Sequence, residues 1–196
     1  MNTAINTWHD LRVNSERMLA AFNELAQIGA TIDGGVNRPT FSEAHLAARH
    51  WFREHIEKSG LEFRTDGAGN HSAFLSCGKD NVPTLLLGSH LDSVPNGGRF
   101  DGALGVMVAF EVLRTVKDAR IDLKVNLEAI DFTDEEGTLV GLLGSAALAG
   151  HLPSDHLQNP RGGRQNLIAG MVRAGLSEEG MFSAARPQES LAGYLE

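Results

Sequence analysis

Apolar residues recur at helical spacing through the first third of the chain. After Asn14 or Ser15, the residues Met18, Leu19, Phe22, Leu25 and Ala26 share one face and Gly29 follows, so a capped helix is predicted to about Ile28. Residues 31–39 collect Gly, Asn and Pro and predict a loop. Ser42 opens a second helix that runs to Ser59, with Leu46, Trp51, Phe52 and Ile56 inward and Gly60 as the stop. The period then shortens. Strands are predicted over residues 61–65 and 71–76, separated by the turn Asp66-Gly67-Ala68-Gly69-Asn70. Residues 83–87 are a continuous apolar run, as a strand covered on both faces requires. A helix over 102–116, a strand over 123–132 and a short helix over 142–149, ended by Gly150, complete the pattern. This alternation predicts an α/β fold with a largely parallel (mixed) central sheet flanked by helices. Residues 1–150 are expected to form the ordered core. Residues 153–196, rich in Gly, Arg, Gln and Ser, are expected to be an irregular surface tail with one helical patch near 166–174.

Composition narrows the class. The 196 residues are 42% hydrophobic and 21% charged, which suits a soluble domain with a real core. The net charge is −8 and no basic stripe exists, so a nucleic-acid partner is not expected. Cys77 is the only cysteine, which excludes an internal disulfide and fits a reducing compartment. It is read as a small hydrophobe without a catalytic role. Residues 1–10 are polar and lack the apolar core of a signal peptide, and runs such as 82–88 are too short to span a bilayer. No membrane association is expected, and the location is expected to be cytoplasmic.

The chemistry concentrates in two stretches. One is Gly88-Ser89-His90-Leu91-Asp92-Ser93-Val94-Pro95-Asn96-Gly97-Gly98-Arg99-Phe100-Asp101-Gly102, and the other is Asp134-Glu135-Glu136-Gly137. Both follow predicted strands, where open α/β sheets gather their ligands. In His90-Leu91-Asp92, a neutral imidazole can bind a metal while the carboxylate two residues on accepts its other ring proton. Asp101 can bridge two metals roughly 3.5–4 Å apart, or simply cap the helix beginning at Gly102. Adjacent acids repel, so Glu135-Glu136 needs a reason: one binds metal while its neighbour acts as general base toward an activated water. Each cluster alone has a plainer explanation in a solvated loop. Their order at successive strand ends is what favours a two-metal hydrolase. His45, His50 and His55 lie five residues apart, a turn of about 140° each, so they share no face and are expected at the surface. No Gly-x-Ser-x-Gly elbow, phosphate-binding Walker loop, complete dinucleotide fingerprint or Cys-x-x-Cys pair is present.

The chain resembles the hydantoinase/carbamoylase branch of the dinuclear metallo-amidohydrolases related to aminoacylase, a branch that includes N-carbamoyl-L-amino-acid hydrolases, β-ureidopropionases and allantoate amidohydrolases. The resemblance rests on residues 28–31, Gly34-Gly35-Val36, Gly69-Asn70, residues 88–105, 132–137 and 143–150. The run Ser-Val-Pro-Asn-Gly-Gly-Arg-Phe-Asp-Gly after His-x-Asp is its most specific part. The resemblance implies the catalytic domain of a dinuclear zinc-hydrolase fold. It implies two divalent ions (Zn or Mn, with Co or Ni as options), with His90 on one, Glu136 on the other and Asp101 bridging. Asp92 would orient His90, and Glu135 would serve as general base and acid. The implied substrate is a small ureido or carbamoyl amino acid, cleaved at a C–N bond to ammonia, carbon dioxide and the free amino acid.

Two departures stand out. The family commonly carries an Arg shortly after Glu-Glu-Gly, where this chain has Thr138-Leu139-Val140-Gly141. Family chains are also about twice this length, with a second, dimerising lid domain, a metal-binding His soon after the position of Glu196, and another His near the C-terminus. The chain is therefore expected to be the N-terminal part of a catalytic domain without its lid. It would need a complementary C-terminal half, and family members would be homodimers. The alternatives are a non-catalytic remnant and an aminoacylase- or dipeptidase-type metallopeptidase.

Overall fold

The computed structural model describes residues 10–196. The expectation drawn from residues 1–10 falls, apart from Asp10, outside them. The elements in order are α1 (Ser15–Leu25), α2 (Glu43–Lys58), β1 (Glu62–Thr65), β2 (His71–Leu75), β3 (Thr84–His90), α3 (Ala103–Asp118), β4 (Asn126–Phe132), α4 (Leu143–Leu148), α5 (Ser154–Gln158), α6 (Arg164–Ala174), α7 (Glu178–Ser183), a 3₁₀ turn (Gln188–Ser190) and β5 (Leu191–Leu195).

The five strands form one mixed sheet in the order β1-β2-β4-β3-β5. β3 runs parallel to both β4 and β5, while β2 is antiparallel to β1 and β4. The parallel portion is thus the β4-β3-β5 half of the sheet. Side chains alternate across it with period two. Ala73, Leu127 and Ala129, with the partly buried Leu85 and Leu87, pack under α1, α2 and α3 in the main core. Leu86, Ile130 and Phe132 face the other side, against Leu148 of α4 and Leu191. No helix among the described residues is long and apolar enough to cross a membrane.

Capping explains the helix starts. Asn14 accepts from Arg17 N and opens α1. Ser42 accepts from His45 N, while the His45 ring accepts at Nδ1 from Phe41 N at 2.9 Å. This reciprocal cap, similar to a capping box, turns the His45 ring inward and leaves it fully buried, against the expectation of a surface residue. His50 is exposed as expected, and His55 stacks on Trp51 with ring centroids 3.8 Å apart. α1 stops at Leu25 rather than Ile28, because residues 26–28 tighten into turns and Arg38 Nη1 takes the carbonyls of Leu25 and Ile28.

The largest correction concerns residues 153–196. They are not an irregular tail. They supply three helices and the edge strand β5. Leu157, Leu167, Met171, Met181 and Ala184 bury against Phe41, Ala68, Leu139, Leu143 and Ala147 in a second core. Arg186 reaches back to Glu128 of β4, buried under the sheet, in a bidentate pair at 2.6 and 2.8 Å. The helical patch expected near 166–174 is α6, whereas α5 and α7 are too short and too polar, and β5 too short, for a period to accumulate in the sequence.

Candidate metal centre

β3 ends on His90 itself, three residues later than the apolar run suggested, because Gly88, Ser89 and His90 continue the parallel ladder to Phe132. The chain then loops through residues 91–102 into α3. That loop is pinned by the Gly- and Pro-rich segment that the sequence marks only as a connector. Val36 and Gly97 exchange backbone bonds at 2.9 and 2.8 Å, and Ser93 N donates to Arg38 O at 3.0 Å while Ser93 Oγ accepts from Arg38 N at 2.9 Å.

His90 is buried. Its Nδ1 lies 3.0 Å from the backbone carbonyl of Asp92. A carbonyl only accepts, so Nδ1 carries the proton and the lone pair of Nε2 points outward. The tautomer is therefore set by the Asp92 main chain, while its carboxylate stands 3.6 Å away. Facing Nε2 are Glu135 Oε2 at 3.4 Å and Asp101 Oδ1 at 3.9 Å. Gly102 makes this seat possible: its φ is +62°, and a Cβ there would come within 2.5 Å of the His90 ring. Gly102 also occupies the cap position of α3 with no side-chain hydrogen bond, so Asp101 is not consumed as a helix cap and is largely exposed.

The Asp92 carboxylate has another task. It is fully buried and accepts from Thr40 Oγ1 at 3.0 Å and from the backbone N–H groups of Glu135 and Glu136, both at 3.3 Å. It thereby ties the acidic turn after β4 to the end of β3. Asp134, buried with φ +54°, accepts from the N–H groups of Leu139, Val140 and Gly141 and folds the loop that follows. Sequence reading missed Thr40 and Asp134. A buried acid before a Gly-containing loop was the available signal for Asp134; Thr40 gave none.

The structure brings His90, Asp101 and Glu136 together, with one ligand atom from each lying within 4.8 Å of the others. Glu135 completes the rim. One imidazole and four carboxylates therefore converge at the carboxyl ends of β3 and β4, a surplus of negative charge that suits hard or borderline cations. Electrostatics follow from this crowding. Burial opposes charge on His90, but Asp92, Glu135 and Asp131 outweigh it and raise its pKa. Burial raises the pKa of Asp92 despite the attraction of His90. Burial also raises the pKa of Glu135; His90 opposes the rise, and Glu136, Glu196 and Asp101 reinforce it. Glu196, just past β5, accepts from Ser89 Oγ at 2.7 Å, which brings a further acid to this end of the sheet.

Residues 73–162, which include all five candidate site residues, match the model of Peptidase family M28. An N-carbamoyl-L-amino acid amidohydrolase of Geobacillus stearothermophilus is 34% identical over 186 residues, covering 94% of this chain and 46% of that protein. An allantoate amidohydrolase of Bacillus subtilis is 34% identical over 139 residues, covering 70% of this chain and 34% of that protein. A hydantoinase/carbamoylase family amidase of Burkholderia ambifaria superimposes with a TM-score of 0.83 at 31% identity over 94% of this chain and 45% of its own. The chain belongs to the hydantoinase/carbamoylase family of amidases. It spans less than half the length of these family relatives. In family terms, the matched portion carries both the His90 loop and the Glu135-Glu136 turn.

Proposed function

We propose that this chain is part of a metal-dependent hydrolase that cleaves linear amide or ureido C–N bonds, such as those of N-carbamoyl-L-amino acids or allantoate, with release of ammonia and carbon dioxide. The observation that carries the reading is the convergence of His90, Asp101 and Glu136 at the ends of two parallel strands. Their donor set fits a pair of divalent cations, Zn or Mn foremost: a buried imidazole whose Nε2 faces the acids, an exposed carboxylate able to bridge, and a second carboxylate beside it. His90 would hold one ion, Glu136 the other, and Asp101 both.

Bound there, the ions would act as Lewis acids on the substrate carbonyl and lower the pKa of a coordinated water toward about 7. The chain's own residues do the rest. Asp92 fixes the His90 tautomer through its carbonyl and holds the Glu135-Glu136 turn through its carboxylate. Glu135 accepts the proton of the attacking water and returns it to the leaving nitrogen. Burial raises its pKa, which favours its acting as acid as well as base.

Residues 1–196 are read as the N-terminal part of the catalytic domain. The remaining metal ligands, the lid and the groups that meet the substrate carboxylate are assigned to a complementary portion, and the assembled protein is read as a homodimer. The location is read as cytoplasmic. The match to Peptidase family M28 makes peptide-bond cleavage the competing reading.

The test is ammonia release from N-carbamoyl-L-amino acids and allantoate, and amino-acid release from dipeptides, by the chain with Mn²⁺ or Zn²⁺ and a complementary C-terminal half from a relative. Ureido turnover that drops about 10²–10⁴-fold in Glu135→Gln supports the reading. Dipeptide turnover without ureido turnover sinks it.

A further inference from the structure

Among the charged side chains buried in this fold, three act together behind the metal centre: Arg38 is 0% exposed, Arg49 2% and Asp131 0%. Burying such groups is costly unless each is well partnered. Two of them meet at one residue, Leu91. Asp131 Oδ1 accepts from Leu91 N at 2.7 Å. Arg38 Nε donates to Leu91 O at 2.8 Å. Leu91 is the residue between His90 and Asp92, so both backbone groups that join these residues are held by side chains. Arg49 then closes the frame. Its Nε donates to Asp131 Oδ2 at 2.8 Å, its Nη1 to Gly69 O at 2.8 Å, and its Nη2 to Thr133 Oγ1 at 3.0 Å. Thr133 is two residues before Glu135. One guanidinium on α2 thus touches the end of β4 directly and the end of β3 through Asp131.

A role in stability alone does not explain this arrangement. Apolar residues of similar volume could fill the space at no net cost. Arg38 Nη2 has no hydrogen-bond partner, so the frame is not optimised for its own satisfaction. We propose that Arg49, Asp131 and Arg38 are positioning residues for the metal centre: they fix the backbone on both sides of Leu91, and Thr133, and so set the distance between His90 Nε2 and the Glu135-Glu136 turn. The inference rests on the reading of His90 and Glu136 as metal ligands.

The experiment compares the unaltered chain with Arg49→Met/Asp131→Leu, which removes both charges and leaves neither unpaired. Thermal unfolding is expected to move by only a few degrees. In metal-free protein, NMR is expected to show the NOE between His90 Hε1 and the Gly102 Hα protons lost, and the Leu91 amide exchanging at least tenfold faster. Mn²⁺ or Zn²⁺ affinity is expected to fall about 10–100-fold, the usual effect of removing outer support from a metal ligand. A folded double variant that keeps the His90–Gly102 NOE overturns the proposal. If that variant does not fold, Arg49→Lys decides. It keeps a cation on Asp131 but cannot reach Gly69 and Thr133 as well, and a reduced His90–Gly102 NOE at unchanged Leu91 protection is expected. An unchanged NOE overturns the proposal. The metal-free readouts judge the frame, whereas failure of the unaltered chain to bind metal would count against the ligand reading alone.

Discussion

Gly102 shows how one residue decides the candidate site. Its left-handed backbone and missing Cβ let α3 begin directly against the His90 ring. Gly102→Ala is expected to cost about 1–3 kcal/mol in metal-free thermal unfolding and to displace the imidazole. An unchanged melting temperature would show that the ring has slack. His71 offers a pH test. Burial and the nearby charges of Arg49 and Arg53 lower its pKa from 6.5 to about 3. The unfolded chain therefore takes up this proton first. The contribution is fully present above pH 6.5 and is lost as pH falls toward 3. His71→Phe, which keeps an aromatic ring beside Phe63, is expected to lose less stability between pH 6.5 and 4, by on the order of a few kcal/mol. Parallel acid-denaturation curves for the two proteins would remove His71 from the account. The five candidate residues were legible because they sit in two short runs at strand ends. Arg38, Arg49 and Asp131 were not, because their meaning lies in partners such as the Arg49–Asp131 pair, 82 positions apart.

At the scale of elements, periodicity served where it could build up. The long helices α2 and α3 and the strands β3 and β4 carry enough apolar residues to declare both type and inward face. Their ends shifted by a few residues wherever capping or ladder bonds, rather than hydrophobicity, set the boundary. Within the segment from α5 to β5, α6 was legible as a helical patch, but the rest escaped because helices of 5 and 6 residues, each offering one buried side chain, do not outweigh their polar composition. Its attachment is testable. Glu128 is fully buried and relies on Arg186 and Ser72. Arg186→Met strands that carboxylate and is expected to destabilise by about 3–5 kcal/mol. Hydrogen exchange should then show residues 178–195 opening ahead of β3 and β4. Simultaneous opening of all of them would mean that this segment and the main core are one cooperative unit.

For the whole molecule, metal and folding should be linked. The acidic cluster is assembled only when β3, β4 and the loop 91–102 are in place, so a cation that binds it binds the folded state. Added Mn²⁺ or Zn²⁺ at 100 times its dissociation constant should stabilise by about 2.7 kcal/mol, seen as a rise in melting temperature that a chelator reverses. His90→Ala should abolish the rise. A rise retained in that variant would place the ion elsewhere.

The two rims of the sheet differ in a way that bears on handling the protein. At one rim, β1 is short and carries Glu62 and Arg64, which discourage another chain from pairing there. At the other, β5 reads Leu-Ala-Gly-Tyr-Leu, uncharged, with Tyr194 and Leu195 exposed. Association at high concentration should therefore nucleate on one side only. A single lysine at the exposed Ala192 should delay the onset of light scattering, whereas the same change on β1 should do little.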